Sequence, residues 1–154
     1  MALSDIVGTS SYLATDGKTS CDLAAVVGDA SLIGLYFSAH WCGPCRGFTP
    51  KLVTFVEMLA EEGIRFPVVF ASSDRDEKTF QAYFAEMKGD SWHAFPHADA
   101  RIEELKKKYA VSGIPWLVVL NAKTGELVVN EADTDVPKGT AAYQQWLVTI
   151  AHGK

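Results

Sequence analysis

The apolar residues in the first half of the chain form two short, nearly continuous runs with a helical stripe between them. The runs cover residues 32–37 and 66–71 and show little polar alternation, which predicts strands covered on both faces. The stripe repeats at spacings of three and four and predicts a helix ending near Gly63; its members are Phe48, Leu52, Phe55, Val56 and Leu59. This strand–helix–strand order favours a parallel pair of strands.

The second half of the chain adds three helices and a hairpin. Asp74 or Asp76 is placed to cap one helix, whose apolar face holds Phe80, Tyr83, Phe84 and Met87. Asp99 is placed to cap the next, which carries Ile102, Leu105 and Tyr109. Residues 116–120 and 126–129 predict an antiparallel hairpin, and residues 139–150 a last helix. Together these elements predict an α/β fold with a central mixed β-sheet flanked by helices on both faces.

Length and composition fit one compact unit. The chain has 154 residues, of which 48% are hydrophobic, enough for a substantial core. We find no internal repeat, low-complexity segment or linker, and we therefore expect a single domain over residues 1–154.

The charge pattern argues against two classes of partner. The formal net charge is -5, and the basic run at residues 106–108 is short and typical of the solvated face of a helix, so we expect no nucleic-acid partner. No segment approaches the roughly 18 apolar residues of a membrane span. The first residues also lack the basic and apolar regions of a secretion signal. We expect a cytoplasmic protein without a membrane partner, and a nuclear location stays open.

Two of the three cysteines lie in the sequence Trp-Cys-Gly-Pro-Cys at residues 41–45, where a predicted buried strand gives way to a helix. The amides and dipole at a helix N-terminus favour negative charge on Cys42, which makes it the expected nucleophile. In such motifs the first cysteine can have its pKa lowered to about 7 or below. Cys45 is then expected to resolve the mixed disulfide that Cys42 forms.

The spacing of the motif suits a reversible disulfide. Residues three apart in a helical turn lie roughly 5 to 6 Å apart, which matches the separation that a disulfide requires. Gly43 makes the turn tight, and Pro44 gives up an amide that has no partner in a first helical turn. The alternatives are a structural thiol pair or half of a zinc site, but no second Cys-x-x-Cys exists.

Residues 36–50 around this motif resemble the tryparedoxin and nucleoredoxin branch of the thioredoxin superfamily. Residues 72–76 and 111–115 are similar to that branch in order and spacing, so the resemblance covers nearly the whole chain and implies a thioredoxin fold. Two positions depart from it. Tryparedoxins usually have two prolines between the cysteines, and thioredoxins tend to bury a carboxylate where this chain has Tyr36. The proton acceptor for Cys45 is therefore left open between water and Glu57.

The resemblance also implies roles for residues around the dithiol. It makes the Ile114–Pro115 bond a cis peptide facing the sulfurs, with the Ile114 backbone pairing with a substrate chain; the alternative is an ordinary trans turn. Trp41 is expected to form an apolar wall for protein substrates rather than to lie in the core. His40 and Arg46 flank the motif, and each either stabilises the thiolate or is simply a solvated residue.

The remaining histidines and cysteine have plainer interpretations. His93 and His97 stand four apart, but Pro96 and the lack of a carboxylate partner argue against a metal site, and we expect a surface loop there. Cys21 is expected to be an inert thiol buried in a helix. We therefore expect no metal ligands in this chain.

The function that these residues predict is reduction of protein disulfides through a Cys42–Cys45 dithiol/disulfide cycle, without a bound cofactor. Electrons would come from an external reductase or a low-molecular-weight dithiol. Expected acceptors are oxidised proteins, peroxidases among them. The alternative from another class, which the nucleoredoxin resemblance suggests, is a redox-gated protein-binding module with little turnover of its own.

Overall fold

A computed structural model describes residues 2–152, with side chains described up to residue 150. One sheet of seven strands forms its centre, in the order β2-β1-β5-β4-β3-β6-β7. The strands are β1 Tyr12–Leu13, β2 Ser20–Cys21, β3 Leu32–Ser38, β4 Val68–Ser72, β5 Trp92–Ala94, β6 Trp116–Asn121 and β7 Leu127–Val129. The α-helices are α1 Ser4–Val7, α2 Leu23–Val27, α3 Gly43–Glu61, α4 Glu77–Phe84, α5 Ala100–Lys108 and α6 Thr140–His152. Two 3-10 turns, Ala132–Thr134 and Val136–Lys138, precede α6.

Strand β3 lies at the centre of the sheet and determines its mixed character. It pairs in parallel with β4, from Gly34 opposite Val68 to Ser38 opposite Ser72, and antiparallel with β6 on its other side. All seven residues of β3 are buried. The predicted parallel pair and the predicted hairpin of β6 and β7 are both present.

The two faces of the sheet carry separate apolar cores, and successive residues of β3 alternate between them. Leu32 and Tyr36 belong to one core, while Ile33, Leu35 and Phe37 belong to the other. Helices α3, α4 and α6 cover the first face, and α1, α2 and α5 contribute to the second. Since both faces are covered, the uninterrupted apolar run of β3 is what its position requires.

The helix caps resolve one choice that the sequence left open. The Asp76 side chain accepts a hydrogen bond from the Thr79 amide and caps α4, and the Asp99 side chain caps α5 through the Arg101 amide. Asp74 is buried and bonded elsewhere, near the cysteine motif. The cap of α4 is therefore Asp76.

Two expectations from the sequence were wrong. Residues 92–97 were expected to form a surface loop, but Trp92–Ala94 is strand β5, buried and paired in parallel with β4. Cys21 was expected inside a helix and buried, but it lies in strand β2 and is partly exposed; helix α2 begins only at Leu23. The short strands β1 and β2 were not predicted, because two residues are too few to show an alternation of apolar and polar positions. Among the described residues, none of the helices has the length and apolarity needed to cross a membrane.

Gly34 provides a test of packing at the centre of the sheet. A Cβ at this position would lie 3.0 Å from the Phe66 ring and 3.2 Å from a Leu117 methyl group. We expect Gly34→Ala to lower the free energy of unfolding by about 1–3 kcal/mol, because the added methyl group overpacks the core. The measurement is urea unfolding followed by far-UV circular dichroism.

Gly47→Ala is the matched control, because a Cβ there meets nothing within 4 Å and Gly47 lies inside helix α3. It should raise stability by about 0.5–1 kcal/mol, since alanine is the better helix former. Equal effects of the two substitutions would contradict the packing argument.

The buried histidine of β5 predicts a pH dependence of stability. Burial, assisted by the nearby charge of Arg65, lowers the pKa of His93 in the folded protein. The unfolded chain therefore binds a proton at His93 more readily, and stability falls as pH drops through the unfolded value of about 6.5. Between pH 7.5 and 5.5 the wild type should lose up to about 1.4 kcal/mol more than His93→Gln. Urea titrations at both pH values measure this, and parallel losses in the two proteins would refute it.

Candidate active site

The cysteine motif lies where β3 ends and α3 begins. Cys42 is the N-cap of α3 and Cys45 lies in its first turn, and the two form a disulfide with their Cα atoms 5.2 Å apart. Gly43 and Pro44 occupy the first helical positions between them. Cys45 is wholly buried, whereas 7% of Cys42 is exposed. Of the two cysteines, Cys42 is therefore the one that is in contact with solvent.

The backbone around Cys42 favours negative charge on its sulfur. The amide of Cys45 donates a hydrogen bond to Cys42 Sγ at 3.2 Å. This sulfur also stands at the positive end of the dipole of α3, a helix of 19 residues. Both effects stabilise a thiolate relative to a thiol, and they act on Cys42 because it occupies the cap position.

Two loops bring further residues beside the sulfurs. The Ile114–Pro115 peptide bond, just before β6, is cis, and the Ile114 carbonyl oxygen lies 3.7 Å from Cys42 Sγ. Trp41 is 50% exposed, and its indole Nε1 donates a hydrogen bond to the Ser73 carbonyl oxygen, just after β4. An exposed aromatic wall and the Ile114 backbone thus flank Cys42 at the surface.

His40, Arg46 and Asp74 complete the surroundings of the motif. The His40 amide donates to Asp74 Oδ1 at 2.7 Å, and the His40 ring packs edge-on against Tyr83 with the ring centroids 5.5 Å apart. Asp74 is buried and also accepts from the Ser72 hydroxyl at 2.7 Å, so it fixes the loop before Cys42 to the end of β4. Sequence reasoning treated Asp74 only as a possible helix cap. The side chain of Arg46 is exposed on α3.

A chain of four hydroxyl groups lies behind the motif, where Tyr36 replaces the carboxylate of thioredoxins. Thr49 Oγ1 is 2.6 Å from the hydroxyls of both Tyr36 and Tyr83, and the Tyr83 hydroxyl is 2.7 Å from Ser38 Oγ. All four residues are buried, and burial raises the pKa of the Tyr36 hydroxyl. The interior here is polar but uncharged.

Glu57 does not reach this region. It is exposed on α3, twelve residues beyond Cys45, which corresponds to roughly 18 Å along the helix axis. The sequence left water and Glu57 as possible acceptors for the Cys45 proton. Glu57 is too far from Cys45 to accept that proton directly.

The remaining candidates lie outside this cluster. Cys21 bonds weakly to the Tyr12 carbonyl oxygen in the β1–β2 hairpin, and desolvation raises the pKa of its thiol. No group of three or more His, Cys, Asp or Glu residues within positions 2–152 is arranged to hold a metal ion.

A disulfide at the N-terminus of a helix, on a mixed sheet with helices on both faces, defines a thiol-disulfide oxidoreductase of the thioredoxin fold. A family model described as Thioredoxin-like matches residues 29–127, and the chain belongs to that family. The resemblance to its tryparedoxin and nucleoredoxin branch, and the fold predicted from it, are confirmed by the relatives.

Tryparedoxin of Trypanosoma brucei brucei is 38% identical over 130 residues, which cover 84% of this chain and 85% of the relative. Probable nucleoredoxin 1 of Arabidopsis thaliana is 46% identical over 110 residues, which cover 71% of this chain but 18% of the relative. The chain spans less than a third of the nucleoredoxins that it matches.

Among solved structures, tryparedoxin II from C. fasciculata superimposes with a TM-score of 0.79 at 33% identity, covering 91% of this chain and 89% of that one. Tryparedoxin II has also been solved in complex with glutathionylspermidine, with a TM-score of 0.78 to this chain at 33% identity.

The hydroxyl chain predicts the effect of removing one of its members. Tyr83→Phe leaves the Ser38 hydroxyl without its partner in the interior. We expect the free energy of unfolding to fall by about 1–3 kcal/mol, the cost of an unpaired buried polar group. Chemical unfolding of the reduced and oxidised proteins measures this.

Tyr109→Phe is the matched control. The Tyr109 hydroxyl is buried and has no hydrogen-bond partner among the described residues, so its removal should be neutral or stabilising. A comparable loss in both variants would show that the hydroxyl chain contributes no net stability.

Proposed function

We propose that this chain reduces disulfides in protein substrates. The observation that carries the proposal is the asymmetry of the Cys42–Cys45 disulfide at the N-terminus of α3. Cys42 is the sulfur that reaches the surface and accepts the Cys45 amide, while Cys45 is wholly buried behind it. This is the arrangement that an attacking cysteine and an internal resolving cysteine require.

The cycle balances as two exchange steps. The Cys42 thiolate attacks one sulfur of the substrate disulfide, a mixed disulfide forms, and the other substrate sulfur leaves as a thiolate. Cys45 then loses its proton and attacks Cys42 Sγ, which releases the second substrate sulfur. The substrate gains two electrons from the protein and two protons, one from Cys45 and one from solvent, and the protein is left with its Cys42–Cys45 bond.

The surroundings of Cys42 support binding of an extended polypeptide. We propose that the Ile114 backbone pairs with the substrate chain, because its carbonyl oxygen lies 3.7 Å from Cys42 Sγ; the Ile114–Pro115 bond of the same loop is cis. Trp41 offers apolar area beside it. We assign Cys42 as nucleophile and Cys45 as resolving thiol, and we assign support of the site to Trp41, Gly43, Pro44, Ile114, Pro115, His40 and Arg46.

The electron donor follows from the relatives by analogy. Tryparedoxin II has been solved with glutathionylspermidine, and we propose either a low-molecular-weight dithiol or an external reductase as the donor here. We propose oxidised proteins, peroxidases among them, as acceptors, and a cytoplasmic location. We further propose that residues 1–154 form one domain; Met1 and residues 153–154 lie outside the described part.

A redox-gated binding module is the second candidate. The observation that favours it is that the chain corresponds to a fraction of each nucleoredoxin that it matches, and 18% of the plant relative. In such a module the redox state of Cys42 and Cys45 would control association with a partner, with little turnover.

Insulin reduction tests the proposed function. The wild type should reduce insulin disulfides catalytically when recycled by NADPH with thioredoxin reductase, or by NADPH with a glutathione- or trypanothione-based system. Cys42→Ser should reduce the rate to background, because the attacking sulfur is lost. Cys45→Ser should also stop turnover but accumulate a mixed disulfide, which non-reducing electrophoresis and mass spectrometry detect.

Cys21→Ser is the control and should retain the wild-type rate, since Cys21 lies in the β1–β2 hairpin away from the motif. A mixed disulfide trapped only by Cys42→Ser would reverse the two roles. No turnover with any donor, from protein whose dithiol still titrates reversibly, would favour the binding module.

A further inference from the structure

The surface beside Cys42 carries a groove that has one lysine in its lining and an exposed arginine next to its tryptophan. The groove has a volume of about 270 Å³ and is lined by Trp41, Ser73, Lys106 and residues 111–114. Its Ile114 end is the part that lies next to the Cys42 sulfur. A substrate chain seated at the dithiol would therefore extend along the groove toward Lys106.

Arg75 borders this groove and has unused hydrogen-bonding capacity. Its guanidinium carbon lies 5.5 Å from the centre of the Trp41 ring, within the range of a cation–π contact. Arg75 is exposed, and its side chain makes no hydrogen bond or ion pair with the residues that the structure describes. A cation–π contact uses no N–H group of the guanidinium, so its N–H fork stays available for a carboxylate.

Lys106 supplies a second cation. Its Nζ donates to Ser73 Oγ at 2.6 Å, which fixes the ammonium beside the loop that also accepts the Trp41 indole. Glu103 lies 3.4 Å from the same Nζ, but its side chain is 72% exposed, and an exposed pair of this length is weak. The Lys106 ammonium is therefore available to pair with a carboxylate of a partner.

Neither of the two aspartates that flank Arg75 in the sequence forms an ion pair with Arg75 or Lys106 in the described part of the chain. Asp74 is buried, and its carboxylate accepts the His40 amide and the Ser72 hydroxyl. Asp76 is engaged in capping α4. Because the net charge of the whole chain is -5, any attraction to an acidic segment has to come from these two local cations.

We propose that Arg75 and Lys106 select protein substrates with acidic residues flanking the target cysteine, seated in the groove as an extended segment. This inference rests on the proposed function and adds a substrate class to it. Substrate carboxylates would pair with the Arg75 fork and the Lys106 ammonium while the Cys42 thiolate attacks the disulfide as above. Local positive charge accelerates the encounter with acidic segments and disfavours basic ones.

The test uses disulfide-linked dimers of short peptides that differ only beside the cysteine, with Glu-Cys-Glu in one and Lys-Cys-Lys in the other. The second-order rate of reduction by the reduced protein is measured for each, and divided by the rate with dithiothreitol to remove intrinsic reactivity. At low salt the wild type should reduce the acidic peptide faster, by about tenfold. At about 1 M salt, where the Debye length is about 3 Å, the ratio should fall towards one.

The variants locate the effect. Arg75→Gln should lower the ratio, and Arg75→Gln with Lys106→Gln should bring it close to one. Glu103→Gln should raise the ratio, because it releases the Lys106 ammonium from its nearest carboxylate. Lys88→Gln is the charge-matched control and should leave the ratio unchanged. Lys88 follows α4, which begins after the carboxyl end of β4 and leads back to the amino end of the parallel strand β5, so Lys88 is near the opposite end of these strands from Arg75.

The outcomes separate this inference from the function on which it rests. Equal reduction of both peptides by the wild type would overturn the acidic preference and leave the reductase intact. A preference that persists in the double variant would overturn the assignment to Arg75 and Lys106. Failure to reduce either peptide would overturn the reductase, and the preference with it. Arg75→Gln alone removes no hydrogen bond between described residues, so this variant should stay folded. Its ratio of acidic to basic peptide rates can therefore be interpreted even if the double variant loses stability.

Discussion

The start of α3 at the carboxyl end of β3 is the constraint on which the site depends. Strand β3 is buried along its whole length between β4 and β6, so its end is held rigidly in the sheet. The helix follows after a short loop, and Cys42 becomes its cap while Cys45 falls in its first turn. The unpaired amides and the dipole at the helix start thus act on one sulfur and leave the other inside.

The neutral interior behind the dithiol gives the site a particular electrostatic character. A buried carboxylate at the position of Tyr36 would have to be kept charged in the core or stay protonated, and either state costs free energy unless it is well paired. The hydroxyls of Tyr36, Thr49, Tyr83 and Ser38 satisfy one another instead, at distances of 2.6 to 2.7 Å. The hydroxyls therefore add no negative charge that would oppose a thiolate at Cys42, and the backbone at the start of α3 favours that thiolate.

Much of this architecture could be predicted from the sequence because its signals are local. The apolar runs and helical stripes located β3, β4, the β6–β7 hairpin and helices α3 to α6, and the Cys-x-x-Cys spacing located the dithiol. Strand β5 escaped because it has three residues, including a histidine, and its burial comes from pairing with β4. The two-residue strands β1 and β2 are too short to show a period.

The residues that were missed or misassigned share a different cause. Asp74 looks like a helix cap in the sequence, and its bond to the His40 amide joins residues 34 positions apart. The Ser38–Tyr83 contact joins residues 45 positions apart. Such pairs form only when β3 and β4 lie side by side, so they cannot be predicted from a local sequence pattern.

The dithiol and the charged residues beside it depend on different parts of the structure. The dithiol draws on the backbone of α3 and the loop before β6, which the fold holds in place. Arg75 is exposed in a loop, Glu103 is exposed on α5, and Lys106 is partly exposed on α5. Substitutions at these three positions can change the charge offered to a substrate while the sulfurs keep their surroundings. Partner preference is therefore free to diverge among relatives that share the same dithiol chemistry.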